Sequence, residues 1–360
     1  MTTKEKLDLV SQVGEEIVTK AELESLLEKE KSLIAYDGFE PSGQIHIAQG
    51  ILRAININKM TKAGIKFKML VADWHAMTND KMGGDLEKIK IVGKYFIEVW
   101  KACGMDLKNV EFVWASNLVK NSSYWELVLK IGRTNKLARF IRTAEFMGRE
   151  AAAETLSAAQ LFYPCMQVAD IFTLGAKITQ LGMDQRKVNM LAREIGPQLG
   201  FWKPVVVSHH MLMGLGQPLT NETADKASRT IALKMSKSNP DYAIFMTDSK
   251  EDIERKINKA WCPEGETREN PILEYCQYIV FEKFSQILID RPAKFGGPIT
   301  IKSFSELESL FAKKEIHPQD LKKTTANLID QLVAPVRQHF TKNNNAKKLL
   351  EQVKSFGVTR

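Results

Sequence analysis

The chain has 360 residues, 44% hydrophobic and 26% charged, the composition of an ordinary globular protein with length for two domains. No apolar run approaches a membrane span, and four scattered cysteines (Cys103, Cys165, Cys262, Cys276) lack any CxxC spacing, so neither a membrane-spanning segment nor a cysteine metal site is expected and free thiols are the default. The formal charge is +8, and residues 311–360 hold ten Lys and Arg against four Asp and Glu, a placement that suits either a nucleic-acid contact or a solvated helical face.

Acids and bases alternate near the N-terminus (Lys4, Lys6, Asp8, Glu15, Glu16), unlike a secretory or mitochondrial leader, which predicts a cytoplasmic protein with free thiols. Residues 4–30 read as two short helices, the second opened by a Thr19–Glu22 capping box. An apolar run at 33–36 has strand character. Gly38, Pro41 and Gly43 break it, and Ala48, Ile51, Leu52 and Ile55 then recur at helical spacing up to Ala63-Gly64. A second apolar run at 67–72 completes a strand–helix–strand unit, which predicts a right-handed crossover and a parallel sheet. His46 falls in the first turn of that predicted helix. Unpaired backbone N–H groups and the helix dipole there favour a phosphate, which a histidine can also meet as donor. A capping or surface histidine fits the same position.

Residues 85–103 predict a helix with Ile89, Val92, Phe96, Val99 and Cys103 on one face, and 110–115 a strand. Residues 121–160 form a polar, arginine-rich helical insertion (Arg133, Arg139, Arg142, Arg149). Pro164 suits the first turn of the next helix. Tyr163, Gln167 and Asp170 then share one face at i, i+4 and i+7. A phenol, an amide and a carboxylate on one face either meet solvent or bind a small ligand carrying an amine and a hydroxyl.

Segments 178–181 and 204–208 read as the last strands. A polar stretch, 217–230, leads into Lys234-Met235-Ser236-Lys237-Ser238, where two lysines three apart suit a loop closing on a polyphosphate. From Ser249 the pattern is helical (249–260, 271–287, 304–314, 318–340, 345–354), so a boundary is expected at 240–248.

A Pro41-Ser42-Gly43-Gln44-Ile45-His46-Ile47 turn paired with a late Lys-Met-Ser-Lys-Ser resembles the two signatures of class I aminoacyl-tRNA synthetases. The family's first motif usually ends in Gly-His, where this chain has Ala48-Gln49. Gln49 keeps a neutral donor but cannot carry a positive charge, which shifts phosphate contact toward His46. With Ala35-Tyr36, Tyr163–Asp170 and Gly182-Met183-Asp184-Gln185-Arg186-Lys187, the chain is similar over about residues 30–340 to tyrosyl-tRNA synthetases of the archaeal and eukaryotic type.

That resemblance implies a Rossmann-like α/β catalytic domain with a parallel sheet (1–245), a helical insertion at 121–160 forming a homodimer interface, and a mainly α-helical anticodon-binding domain (246–360). It implies that His46, Gln49, Lys234, Ser236 and Lys237 serve catalysis, and that Gly38, Gly43, His46, Lys234 and Lys237 hold ATP. Tyr36 and Asp170 would hold the phenol hydroxyl of L-tyrosine; Tyr163, Gln167 and Gln185 its amino group; Asp73 would border the pocket, and His75 is open between structure and function. Arg186, Lys187, Phe295, His317 and Asp320 would touch tRNA(Tyr). The implied reaction makes tyrosyl-adenylate from tyrosine and ATP, with Mg2+ accompanying the nucleotide and no prosthetic group, then transfers the tyrosyl group to tRNA. A tryptophanyl enzyme of the same fold is the nearest rival. A nucleotidylyltransferase would not need the basic helical C-terminal part, and a catalytically dead RNA-binding paralogue would not need the lysine loop.

Overall fold

The computed structural model describes residues 1–144, 156–218, 229, 232–235 and 239–356. Among these, β1 (Gly14–Val18), β2 (Ile34–Phe39), β3 (Lys66–Val71), β4 (Val110–Trp114), β5 (Ile178–Thr179) and β6 (Val205–His209) form one sheet in the order β1-β6-β5-β2-β3-β4. The four pairings from β6 to β4 are all parallel, as the strand–helix–strand pattern predicts, while β1 runs antiparallel along β6. The chain leaves β2 toward β3 and β4 on one side and returns to β5 on the other. Loops therefore diverge above the carboxyl ends of β2 and β5, which opens a crevice at that switch.

Three local expectations change. Residues 4–30 hold helices Thr3–Ser11 and Lys20–Lys29 with β1 between them, and the Thr19–Glu22 capping box is present. β1 is half-buried along its length and owes its form to pairing with β6, a tertiary contact that local periodicity does not carry. His46 precedes its helix instead of lying in the first turn, because the helix is Ile51–Lys62 and His46 pairs in an antiparallel bridge with Phe245. Residues between His46 and Ile51 form a turn closed by Gln49 and Gly50 N–H groups donating to the His46 carbonyl at 2.9 and 3.0 Å. Gly50 is needed there, since a Cβ would lie 2.6 Å from the Met246 side chain. Pro164 stands inside the helix Ala158–Thr173, which starts earlier at a Ser157–Gln160 capping box and forgoes the backbone bond Pro164 cannot donate.

Helices cover both faces of the sheet. On one face Tyr36, Leu70, Tyr124, Val168 and Leu191 belong to a buried cluster with the helices Ser122–Arg133, Ala158–Thr173 and Arg186–Gln198. On the other, a larger cluster runs from Val10 through Ile55, Phe96 and Trp100 into Ile253, Ile257, Ile329 and Val333, past the expected boundary at 240–248. The C-terminal part contains Lys250–Lys259, Pro271–Tyr275 continuing through a π-helical turn Cys276–Val280, Phe304–Ala312, Pro318–Lys342 and Asn344–Ser355. It also contains an unexpected hairpin of β7 (Ile287–Ile289) and β8 (Ile299–Ile301), whose three-residue strands are too short to alternate visibly. Among the described residues no helix is long and apolar enough to cross a membrane.

One histidine ties three of these parts together. His210, just past β6, places Nδ1 3.2 Å from Glu15 on β1 and Nε2 3.2 Å from Glu274 on Pro271–Tyr275, and its ring stacks on Tyr278 at 4.2 Å. Burial disfavours its charge, but the two carboxylates outweigh that and lift its pKa to about 9. A histidine pKa raised above the unfolded value stabilises the fold fully below about 6.5, and that contribution is lost as pH rises through about 9. The expected contribution is about 3 kcal/mol. His210→Gln should therefore lower thermal stability at pH 6 and flatten the decline of Tm between pH 6.5 and 9; an unchanged slope would show that His210 is not charged in the fold.

Candidate active site

The crevice above β2 and β5 is a cavity of about 360 Å³. β2 supplies Tyr36, Asp37 and Gly38 to its wall, and Glu40 follows immediately; the helix Ala158–Thr173 supplies Tyr163, Gln167 and Asp170; the turn before Ile51 supplies His46 and Gln49. Lys234 reaches the wall from a short bridge with Met213, backed by Gly214 N–H to the Leu233 carbonyl at 3.0 Å and Met235 N–H to the Leu212 carbonyl at 2.8 Å.

The one-face stripe predicted for Tyr163, Gln167 and Asp170 is buried and faces this cavity, not solvent. Asp170 is fully buried. Its Oδ1 accepts from the Tyr124 hydroxyl at 2.8 Å and its Oδ2 lies 3.0 Å from His75 Nε2. Burial disfavours a charged His75, but Asp170 beside it prevails and the ring's pKa is raised. The Tyr36 hydroxyl is buried with no partner at hydrogen-bonding distance, although the Gln167 amide lies near. Burial, then the charges of Asp170 and Asp37, push that phenol's pKa well up, so Tyr36 is a neutral donor. Tyr163 donates to Glu40 Oε1 at 2.6 Å, and Gln167 Nε2 donates to Gln185 Oε1 at 3.1 Å, leaving Gln167 Oε1 buried without a donor.

A second group is ionic. Lys234 Nζ donates to Asp184 Oδ2 at 2.8 Å. Arg53, buried on Ile51–Lys62, lies 3.2 Å from Asp37 Oδ2 and also donates to Gln180 Oε1. Its Nη1 is 3.0 Å and Gln180 Nε2 is 3.1 Å from His209 Nδ1. Both neighbours are donors, so Nδ1 accepts and the proton sits on Nε2. Burial, then Arg53, hold the His209 pKa well below the ordinary value, so the ring is neutral. Burial also lifts Asp37 to about 7 against the opposing pull of Arg53. Gln49 lines the cavity with Oε1 buried and unpartnered, its carbonyl accepting from Trp100 Nε1 at 2.9 Å.

Other expected residues fall elsewhere. Asp73 is not in the wall: its Oδ1 accepts from the Trp74 and Ser116 N–H groups at 3.1 and 2.9 Å, at the start of the helix Asp73–Thr78. Gly38 is in the wall, while Gly43 is outside it and holds a turn at φ +105°. Arg186 pairs with Glu16 of β1 at 2.8 Å and Lys187 is exposed on the same helix start. His317 caps Pro318–Lys342 by accepting from Gln319 N–H, with Asp320 in the first turn, and neither belongs to the cavity wall. Ser236 and Lys237, and the side chain of Phe295, lie outside the described residues, as does Arg149. Sequence reasoning missed Glu40, Tyr124, Arg53, Asp184 and His209. Arg53 had a visible signal, a cation placed among the apolar residues Ile51, Leu52, Ala54 and Ile55 of a predicted helix.

A family model for class I tRNA synthetases of the tryptophan and tyrosine type matches residues 28–334. "Tyrosine--tRNA ligase 1, cytoplasmic" of Arabidopsis thaliana is 48% identical over 360 residues, covering 99% of this chain and 90% of that one. The chain belongs to the tyrosyl-tRNA synthetase family. The Pyrococcus horikoshii tyrosyl-tRNA synthetase complexed with L-tyrosine superposes with a TM-score of 0.91 at 38% identity, over 98% of this chain and 100% of the other. The Leishmania major tyrosyl-tRNA synthetase in complex with tyrosinol gives 0.89 at 45% identity, over 99% of this chain, which spans 61% of that longer one. A tryptophanyl-tRNA synthetase of Aeropyrum pernix gives only 0.64 at 19% identity, a likeness of fold alone. The tryptophanyl alternative is therefore not favoured, and the protein is an aminoacyl-tRNA ligase.

Proposed function

We propose that the cavity activates L-tyrosine with Mg-ATP and that the tyrosyl group then passes to tRNA(Tyr). The observation that carries this reading is the buried Tyr36 hydroxyl, unpartnered and neutral, facing the same cavity as a buried Asp170 that is already aimed by Tyr124 and His75. A phenol entering there accepts from Tyr36 and donates to Asp170. An indole N–H would leave Tyr36 without an acceptor, and phenylalanine would satisfy neither group. Gln167 Oε1 is a buried acceptor for the α-ammonium group, near Tyr163 and Gln185.

On this reading the tyrosine carboxylate attacks the α-phosphorus of ATP, and pyrophosphate leaves. No side chain acts as nucleophile. His46 and Gln49 donate to phosphate oxygens in the part of the cavity that Gly38 also lines, and Gly43 shapes the turn. Lys234, now held by Asp184, and Lys237 meet the charge that develops on pyrophosphate, with Ser236 shaping their loop. Mg2+ arrives as part of the nucleotide substrate. Asp73 acts through the Trp74 and Ser116 N–H groups it accepts from, fixing the start of the helix that carries His75.

The remaining assignments rest on the family. Catalysis is assigned to residues 1–245 and tRNA reading to 246–360, with Arg186 and Lys187 toward the acceptor end and Phe295, His317 and Asp320 toward the anticodon. A homodimer is supported by exposed Leu129, Leu137 and Phe162, three large apolar side chains on the insertion and the helix after it. The cytoplasm is supported by the named location of the Arabidopsis relative.

Pyrophosphate exchange into ATP, run separately with all twenty amino acids, should respond to tyrosine above all others; exchange with none of them, or best with tryptophan, removes the reading. Tyr36→Phe should reduce the kcat/KM ratio of tyrosine over phenylalanine about tenfold, the worth of one hydrogen bond to a buried hydroxyl, about 1–1.5 kcal/mol. An unchanged ratio would place the selecting group elsewhere.

His317→Ala or Asp320→Ala should weaken aminoacylation of tRNA at least tenfold while sparing tRNA-independent exchange, since neither residue lines the cavity. If both activities fall together, the helix start is serving the fold. Light scattering should return a mass near twice 40.7 kDa, and a fully active single chain would dispose of the dimer.

A further inference from the structure

We propose that the buried ammonium of Lys256 is the joint through which the C-terminal helices position His46, an inference that rests on His46 meeting ATP phosphates. Segment 243–248 lines no part of the cavity, yet its backbone holds the turn that does. The Ile47 N–H donates to the Ile244 carbonyl at 2.8 Å and the Met246 N–H to the Ile45 carbonyl at 2.9 Å, so His46 is clamped on both sides. The Thr247 hydroxyl adds a bond to Gln44 Oε1 at 3.1 Å.

What shapes segment 243–248 is a cation from the helix Lys250–Lys259. Lys256, only 4% exposed, donates to the Ala243 carbonyl at 2.9 Å and to Asp248 Oδ2 at 2.6 Å. That same Oδ2 accepts from the Phe245 N–H at 2.9 Å, and the ammonium lies over the Phe245 ring, 4.9 Å from its centre. The first and last residues of the segment are thus drawn onto one charge, and the residue between them is the one bridged to His46. Arg337, on the long helix that starts at His317, donates to the Asp248 carbonyl at 3.1 Å and is itself held by Asp330 at 2.6 Å. A buried ion pair is a poor way to add stability alone, since apolar residues of equal volume do as well, whereas it fixes geometry through directed bonds. Lys256 is a positioning residue: it touches no substrate, and its effect passes through His46.

The test is a double-mutant cycle in the full-length protein between Lys256→Met, which keeps the apolar stem, and His46→Ala. Pyrophosphate exchange gives kcat/KM for ATP, and equilibrium titration gives the affinity for L-tyrosine. Lys256→Met alone should lower kcat/KM for ATP at least tenfold, leave tyrosine affinity within twofold, and lower activity less than twofold further once His46 is alanine. Equal losses in both backgrounds, or a matching loss of tyrosine binding, would overturn the proposal and mark Lys256 as structural. Should Lys256→Met not fold, Arg337→Gln, on a partly exposed side chain, must show the same non-additivity with a smaller loss; additivity there overturns it as well. If His46→Ala leaves exchange intact, the phosphate role of His46 fails first and the proposal falls with it, an outcome distinct from additivity.

Discussion

A carboxylate with no solvent must be met by donors, and the side of the cavity that holds Tyr36 is arranged around that constraint at Asp170. Three elements converge to satisfy it: the helix Asp73–Thr78 after β3 brings His75, Ser122–Arg133 brings Tyr124, and Ala158–Thr173 brings Asp170 itself. Once both oxygens are held, the carboxylate cannot turn, and it can accept a third donor only from the cavity. Asp73 supports the arrangement from behind, joining the helix that carries His75 to the Ser116 backbone after β4.

The ionic side follows a different logic. Arg53 and Asp37 are both buried, and each is costly without the other. Burial leaves Asp37 poised near 7, so the pair shares its charge with Gln180 and a neutral His209 instead of forming an isolated bridge. Lys234 is paired with Asp184 and only partly buried, which leaves it free to exchange one anionic partner for another. Asp184 is itself not fully buried, and a carboxylate that keeps some contact with water holds a cation less firmly than a desolvated one.

Much of this was legible in residue order where chemistry is local. The parallel sheet came from a strand–helix–strand pattern, the Thr19 capping box from four residues, and the cavity stripe from i, i+4, i+7 spacing on one helix. What was hidden depends on contacts across the chain. β1 is a strand only because β6 lies beside it; His46 precedes its helix only because Phe245, about two hundred positions on, pairs with it. Tyr124 lies 46 residues from Asp170, in a stretch whose pattern announces a helix and nothing about a carboxylate. The side chains around a site are thus less visible than those that open into it, since their function is to satisfy partners that only the fold supplies.

The departure at Gln49 can be placed physically on the same terms. His46 and Gln49 both face the cavity, but the backbone of Gln49 is fixed by the Trp100 indole and by its bond to His46, while its Oε1 has no donor. An amide whose oxygen lacks a partner can turn its nitrogen toward an anion with little loss. A charged ring at this position would instead join Arg53 and His210, both already cationic, in the same wall. Neutrality at Gln49 limits like-charge repulsion in a cavity that Arg53, His210 and Lys234 also line, beside a histidine whose position is set from the other half of the chain.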